Sequence, residues 1–121
     1  MKRTLLIGVL CGAPALLGAW HAGAAEANNY PTADRVLFVE ECMNDYPDKG
    51  RFEMVHKCSC LIDQLARHYT YEQYVDMSTA AKAFTISGER GNVVRDTAMG
   101  KALNAEYKKA SGEAKEACFM Q

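Results

Sequence analysis

Apolar residues after position 31 recur at spacings of three and four, and no stretch alternates apolar and polar residues as a β-strand does. This pattern predicts four helices. Their approximate ranges are Ala33–Tyr46, Arg51–Tyr69, Thr70–Phe84 and Thr97–Ala117. We therefore expect an all-α fold, a small irregular four-helix bundle preceded by a loose leader over residues 25–31.

The second predicted helix has the clearest core-facing side. Its apolar residues form one stripe, which consists of Met54, Val55, Cys58, Leu61, Ile62, Leu65 and Tyr69. Side chains able to accept backbone hydrogen bonds mark the other helix starts. They are Thr32 for the first helix, Thr70 with Gln73 for the third, and Asp96 or Thr97 for the last.

Residues 87–92, Ser-Gly-Glu-Arg-Gly-Asn, are predicted to be the longest irregular segment. Within it, Glu89 and Arg90 lie between two glycines, and Arg95 follows closely. Arginine side chains are suited to bind a carboxylate or phosphate, so this is a candidate binding loop. The alternative is a solvated connection, because the strand–loop–helix context of a phosphate site is missing.

Three tyrosines, Tyr69, Tyr71 and Tyr74, cluster at the junction of the second and third predicted helices. We expect them to seal that junction. The alternative is an aromatic contact for a partner protein, since tyrosine is enriched at interfaces.

The first 24 residues have the organisation of a secretory signal peptide. Lys2 and Arg3 precede an uncharged apolar run from Leu5 to Trp20, and Ala22-Gly23-Ala24 resembles a cleavage site. We expect export, cleavage after Ala24, and a single mature domain over residues 25–121 with no membrane span.

Cleavage would change the charge and the cysteine count. The mature chain would carry 12 basic and 15 acidic residues, a net charge of −3, which argues against nucleic-acid binding. It would lose Cys11 and keep four cysteines. An even number in a short exported chain predicts a disulfide framework, here formed by Cys42, Cys58, Cys60 and Cys118.

The Cys58-Ser59-Cys60 segment sets the expected pairing. Residues two apart in a helix differ by about 200° in direction, so these two thiols point to nearly opposite sides. A disulfide needs Cβ atoms about 3.8 Å apart, so each thiol should bond to a different element. The turn between the first two helices places Cys42 nearer the height of Cys58, which favours Cys42–Cys58 with Cys60–Cys118 over the exchanged pairing.

Two other interpretations of the Cys58 and Cys60 pair remain. As a reversible redox pair, their pKa values would be lowered by His56 and Lys57, although the usual redox motif is CxxC at a helix start. As a metal site, His56 and Cys60 share a helix face, although an oxidising compartment converts thiols to disulfides. We predict no metal and no cofactor, and the CxxCH motif of covalent haem attachment is missing.

Cys42, HKCSCLID at 56–63, TYEQYV at 70–75, GERG at 88–91 and Cys118 together resemble small exported proteins of Gram-negative bacteria. The resemblance covers most of the mature chain and implies a periplasmic location. It implies no activity and no set of functional residues. It suggests a periplasmic oxidation enzyme as one candidate partner.

The sequence contains no recognisable catalytic constellation, and every mature thiol is expected to be used in a disulfide. We therefore expect a non-enzymatic binding or accessory module that docks onto another periplasmic or envelope protein. The alternatives are a thiol–disulfide redox protein that uses Cys58 and Cys60, and a small periplasmic holdase chaperone.

Overall fold

The computed structural model describes residues 29–120. The predicted signal peptide and its cleavage after Ala24 lie outside these residues. Within them the chain is helical and has no strand. The five helices are Thr32–Asn44 (α1), Arg51–His68 (α2), Tyr71–Thr85 (α3), Glu89–Arg95 (α4) and Ala98–Ala117 (α5). The all-α prediction is confirmed, and the predicted count of four helices is wrong. None of the described helices is long and apolar enough to cross a membrane.

The additional helix, α4, occupies most of the segment predicted to be irregular. Gly88 precedes it with a φ of 81°, a backbone conformation that glycine adopts without steric cost. A Cβ on Gly91 would lie 2.6 Å from the Ile86 carbonyl oxygen, so a close approach requires glycine there. The two glycines therefore permit a short helix in this context, where the sequence pattern indicated a loop.

Two of the three predicted N-terminal helix caps are present in the structure. Thr70 and Gln73 form the expected capping box, with hydrogen bonds of 3.2 and 2.9 Å. Thr97 caps α5 by accepting a hydrogen bond from the Gly100 N–H at 2.9 Å. The predicted Thr32 cap is wrong. Thr32 is already helical, and Pro31 precedes it without a side-chain hydrogen bond.

The core is built around α2, which packs against both α1 and α5. The centre of its predicted stripe is buried, and the side chains of Cys58 and Leu65 are completely enclosed together with Met77 of α3. From α5 come the small residues Ala110 and Ala114, which permit close helix packing. After α5, Met120 turns back and is buried as well.

Two disulfides join α2 to the rest of the molecule. Cys42 of α1 bonds to Cys58, and Cys60 bonds to Cys118 at the end of α5, with Cα–Cα distances of 5.9 Å in both bridges. This pairing is the one that the turn geometry favours. The two cysteines of the CxC segment lie on different sides of one helix, so they crosslink two different elements.

The first helix contributes few fully buried residues to the core. Of the 13 residues in Thr32–Asn44, all of which the structure describes, only Cys42 is buried. Polar contacts add to the disulfide: Arg35 pairs with Asp63 at 2.6 Å, and the Tyr71 hydroxyl donates to the Asp34 carboxylate at 2.5 Å. Phe38, Val39 and Met43 are partly buried and pack against the core. The disulfide, these contacts and the polar contacts together hold α1 in place, while Val36 and Leu37 stay more than half exposed.

Candidate functional site

Two concave surfaces border α1, one on each side. The first, the α1–α2 groove, has a volume of about 690 Å³. The second, the α1–α3–α5 cleft, has a volume of about 490 Å³. The cleft exists because no Cα atom of α1 lies within 8 Å of a Cα atom in α3 or α5.

The α1–α2 groove has an apolar floor and a charged rim. Both helices contribute to the floor, which is formed by Val36, Val39, Met43, Val55 and Ile62. The rim carries both signs of charge, in Arg35, Glu40, Arg51 and Asp63. Val36 is 51% exposed, and the neighbouring Leu37 is 60% exposed. The groove is therefore an open apolar surface that is suited to another apolar surface.

The α1–α3–α5 cleft combines aromatic walls with lysines. Its aromatic residues are Phe38, Tyr46, Tyr74 and Tyr107. Three lysines, Lys82, Lys108 and Lys115, and two carboxylates, Glu41 and Asp45, also line it. Lys82 forms an ion pair with Glu41 at 3.0 Å, so one positive and one negative charge of the cleft neutralise each other. The remaining charges give the cleft a small positive excess.

The tyrosines at the junction of α2 and α3 are held by internal contacts. The Tyr69 hydroxyl donates to the Glu106 carboxylate at 2.6 Å, and this hydrogen bond raises the pKa of Tyr69 to about 12. Tyr30 donates to the Tyr69 carbonyl oxygen at 3.1 Å, and its ring lies 5.1 Å from that of Tyr74. The rings thus close the junction, as one of the two interpretations of the tyrosine cluster expects.

Tyr30 is a residue that sequence reasoning missed. It falls in the predicted loose leader, yet it is only 5% exposed, and burial raises its pKa to about 12. The Arg35 guanidinium lies 5.4 Å from its ring centre, a cation–π contact. A single aromatic residue among polar neighbours has no periodicity, so the only signal in the sequence was its position two residues before the first helix.

The residues of the predicted binding loop, Glu89, Arg90 and Arg95, do not form a single cluster of side chains in the structure. Glu89 and Arg90 lie exposed in α4. Arg95 turns inward and donates hydrogen bonds to the Ile86 carbonyl, to the Gly88 carbonyl at 2.8 Å and to the Asn92 side chain. The structure therefore gives Arg95 a role in holding the start of α4, and anion binding by the loop stays a prediction.

The redox and metal interpretations of Cys58 and Cys60 would both need free thiols at these two positions. All four cysteines in residues 29–120 are in disulfides, and Cys58 is not bonded to Cys60. In the same residues, no three His, Cys, Asp or Glu side chains lie close enough to hold a metal ion. His56 packs its ring edge-to-face against Phe52, with centroids 4.7 Å apart.

Comparison of the chain with models of known protein families, with curated proteins and with solved structures finds no significant match. The function must therefore be argued from the two surfaces beside α1.

Proposed function

We propose that the protein is a small non-enzymatic module of the periplasm, exported through a cleaved signal peptide, which docks onto another periplasmic or envelope protein. The docking surface is the α1–α2 groove. The observation that carries this proposal is the apolar lining of the groove, where Val36 is 51% exposed on a helix that is crosslinked to the core.

The way in which α1 is attached supports a docking role. A helix of 13 residues is marginal in water unless tertiary packing supports it. Here the Cys42–Cys58 bridge supplies part of that support, so Val36 can remain exposed in the groove and does not have to be buried in the protein's own core. Complete burial of a Val side chain stabilises by about 1.5–3 kcal/mol, and about half of that is available at Val36 when a partner covers it.

The shape of the groove favours an amphipathic helix as the occupant. The α1 residues that line the groove run from Thr32 to Asn44, a length of about 18 Å or three helical turns. Two adjacent antiparallel helices leave a furrow in which the side-chain ridges of a third helix fit. The rim carries charges of both signs, so the partner helix should have apolar residues on one face and flanking charges of both signs.

The two alternatives differ in what they would require. A redox function of Cys58 and Cys60 requires a bond between these two residues, whereas each is bonded to another helix in the structure. A holdase chaperone would bind many unfolded proteins through any exposed apolar surface. It would not restrict binding to one groove.

Photo-crosslinking at single positions tests the docking proposal. A photoreactive phenylalanine derivative is placed at Val39, on the groove floor, or at Val93, which is 77% exposed on α4. After irradiation in the periplasm of the native host, we expect a discrete adduct from Val39 and none from Val93. Mass spectrometry should place the crosslink in an amphipathic helix of one partner.

A synthetic peptide of the crosslinked segment then provides the quantitative test. Its affinity should fall about tenfold in the Val36→Asp variant, because a buried unpaired carboxylate replaces an apolar contact. The matched Val93→Asp variant should bind as the wild type does. Equal crosslinking from Val39 and Val93 to many unrelated proteins would contradict the proposal and favour a holdase, and no adduct from Val39 would also contradict it.

A further inference from the structure

The six tyrosines divide into two groups according to their hydrogen bonds. Those outside the α1–α3–α5 cleft each donate a hydrogen bond to a protein oxygen, namely Tyr30, Tyr69 and Tyr71. Three tyrosines line the cleft, and within residues 29–120 their hydroxyl groups make no hydrogen bond to protein, namely Tyr46, Tyr74 and Tyr107. The protein therefore satisfies its tyrosine hydroxyls elsewhere and leaves three available around one cavity.

Tyr74 is the central aromatic residue of the cleft. Its ring lies 6.3 Å from that of Phe38 in an edge-to-face arrangement, which joins α3 to α1 across the cavity. A tyrosine hydroxyl is protonated at neutral pH and can donate a hydrogen bond. Burial raises the pKa of Tyr74 further from the neutral range. The cleft thus presents ring surfaces together with a neutral donor.

The positive charge of the cleft comes from α5. Lys108 and Lys115 are seven residues apart and line the cleft from the same side of the helix, with Ser111 between them. In the part of the chain that the structure describes, neither lysine forms an ion pair. Asp45 is the one carboxylate of the lining that is not already paired with a lysine of the cleft. These charges favour an anion.

Gly112 lines the cleft on α5 and places no side chain in the cavity. A Cβ built there meets nothing within 4 Å, and the backbone does not need glycine's conformational freedom. A glycine in the interior of a helix destabilises it by about 1 kcal/mol relative to alanine. Packing and backbone geometry therefore do not require glycine at this position. A glycine here does leave the cavity open between Lys108 and Lys115, because it has no side chain to fill that space.

We propose that the α1–α3–α5 cleft binds a small aromatic carboxylate. The ring packs against Phe38 and Tyr74, the carboxylate lies toward Lys108 and Lys115, and the free tyrosine hydroxyls bind polar substituents of the ring. Ligand sites usually have volumes of about 300–1,000 Å³, and the cleft of about 490 Å³ lies within this range. Aromatic walls favour an aromatic ligand over an aliphatic one, because edge-to-face contacts add to the burial of apolar area.

The test uses 4-hydroxycinnamate as the probe and the disulfide-bonded protein, with binding followed by calorimetry and by amide chemical shifts. We expect saturable binding with shift changes around Phe38, Tyr74 and Tyr107. The neutral methyl ester and aliphatic octanoate should each bind about tenfold more weakly, because the first lacks the charge and the second lacks the ring.

Matched variants separate the cleft from general electrostatic attraction. The double variant Lys108→Gln/Lys115→Gln should lose about tenfold in affinity. The control Lys101→Gln/Lys109→Gln removes the same charge from exposed positions of the same helix and should bind as the wild type does. Gly112→Leu should block binding while the protein stays folded and melts at or above the wild-type temperature.

Four results would overturn the proposal. They are the absence of saturable binding at about millimolar probe, shift changes that lie outside the cleft, equal losses in the two double variants, and tight binding of octanoate, which would reject the aromatic class of ligand. None of these results bears on docking in the α1–α2 groove, which lies on the other side of α1.

Discussion

The Cys42–Cys58 disulfide joins a helix with few fully buried residues to the centre of the core, and its removal should release that helix. The suitable perturbation is Cys42→Ala/Cys58→Ala, because alanine leaves no unsatisfied hydroxyl at the two buried positions. The bridge closes a loop with a sequence separation of 16 residues. In the chain-entropy description, a loop of that length contributes about 3 kcal/mol to the free energy of unfolding.

This free energy translates into a large change in melting temperature. For a domain of this size, 1 kcal/mol corresponds to about 4–8 °C, so the variant should melt about 12–24 °C lower than the wild type. The control Cys60→Ala/Cys118→Ala opens a loop with a separation of 58 residues and should lose about 4 kcal/mol. Thermal unfolding followed by circular dichroism measures both.

Hydrogen exchange shows where the stability is lost. In the Cys42→Ala/Cys58→Ala variant, the amides of α1 should lose protection first, because Cys42 is the buried residue of that helix. In the control variant, the last turns of α5 should lose protection while α1 keeps it. A melting temperature within about 3 °C of the wild type, or α1 amides that stay protected, would refute the reasoning.

Three further predictions concern α3, α5 and the tyrosine junction. Gly112→Ala should raise the free energy of unfolding by about 1 kcal/mol in thermal melts, and a decrease would contradict the absence of close neighbours. Thr70→Ala should lower it by about 1 kcal/mol through loss of the capping box, and an unchanged melt would contradict that role. Because the pKa of Tyr69 is raised from 10 to about 12, its contribution is complete below pH 10 and lost as the pH rises toward 12. Tyr69→Phe should therefore weaken the alkaline loss of stability, measured by chemical unfolding at several pH values, and an unchanged pH dependence would contradict this.

The sequence was most informative where one periodic pattern determined the structure. The stripe of α2 and the capping box at Thr70 were predictable because both depend on residues three or four apart. Turn geometry favoured the Cys42–Cys58 pairing over the exchanged one, since a tight turn brings positions at similar heights on two helices together.

The sequence was uninformative about features that depend on tertiary contacts, namely the helix α4 and the α1–α3–α5 cleft. The helix α4 forms because Gly91 permits close approach and Arg95 binds carbonyl groups of the preceding loop, and neither contact is visible as a pattern. The α1–α3–α5 cleft depends on the separation between α1 and the other two helices. Its residues, such as Phe38 and Gly112, come from three separate parts of the chain and have no common spacing.

The central claim is that α2 crosslinks two different elements through Cys58 and Cys60, and disulfide mapping of the purified protein tests it most directly. Trypsin cleaves after Lys57 and Arg67 and leaves both cysteines in one peptide, so fragmentation at Ser59 must separate them in the mass spectrometer. We expect no free thiol, with Cys42 bonded to Cys58 and Cys118 bonded to Cys60. A Cys58–Cys60 bond, or two free thiols in the purified protein, would contradict the account.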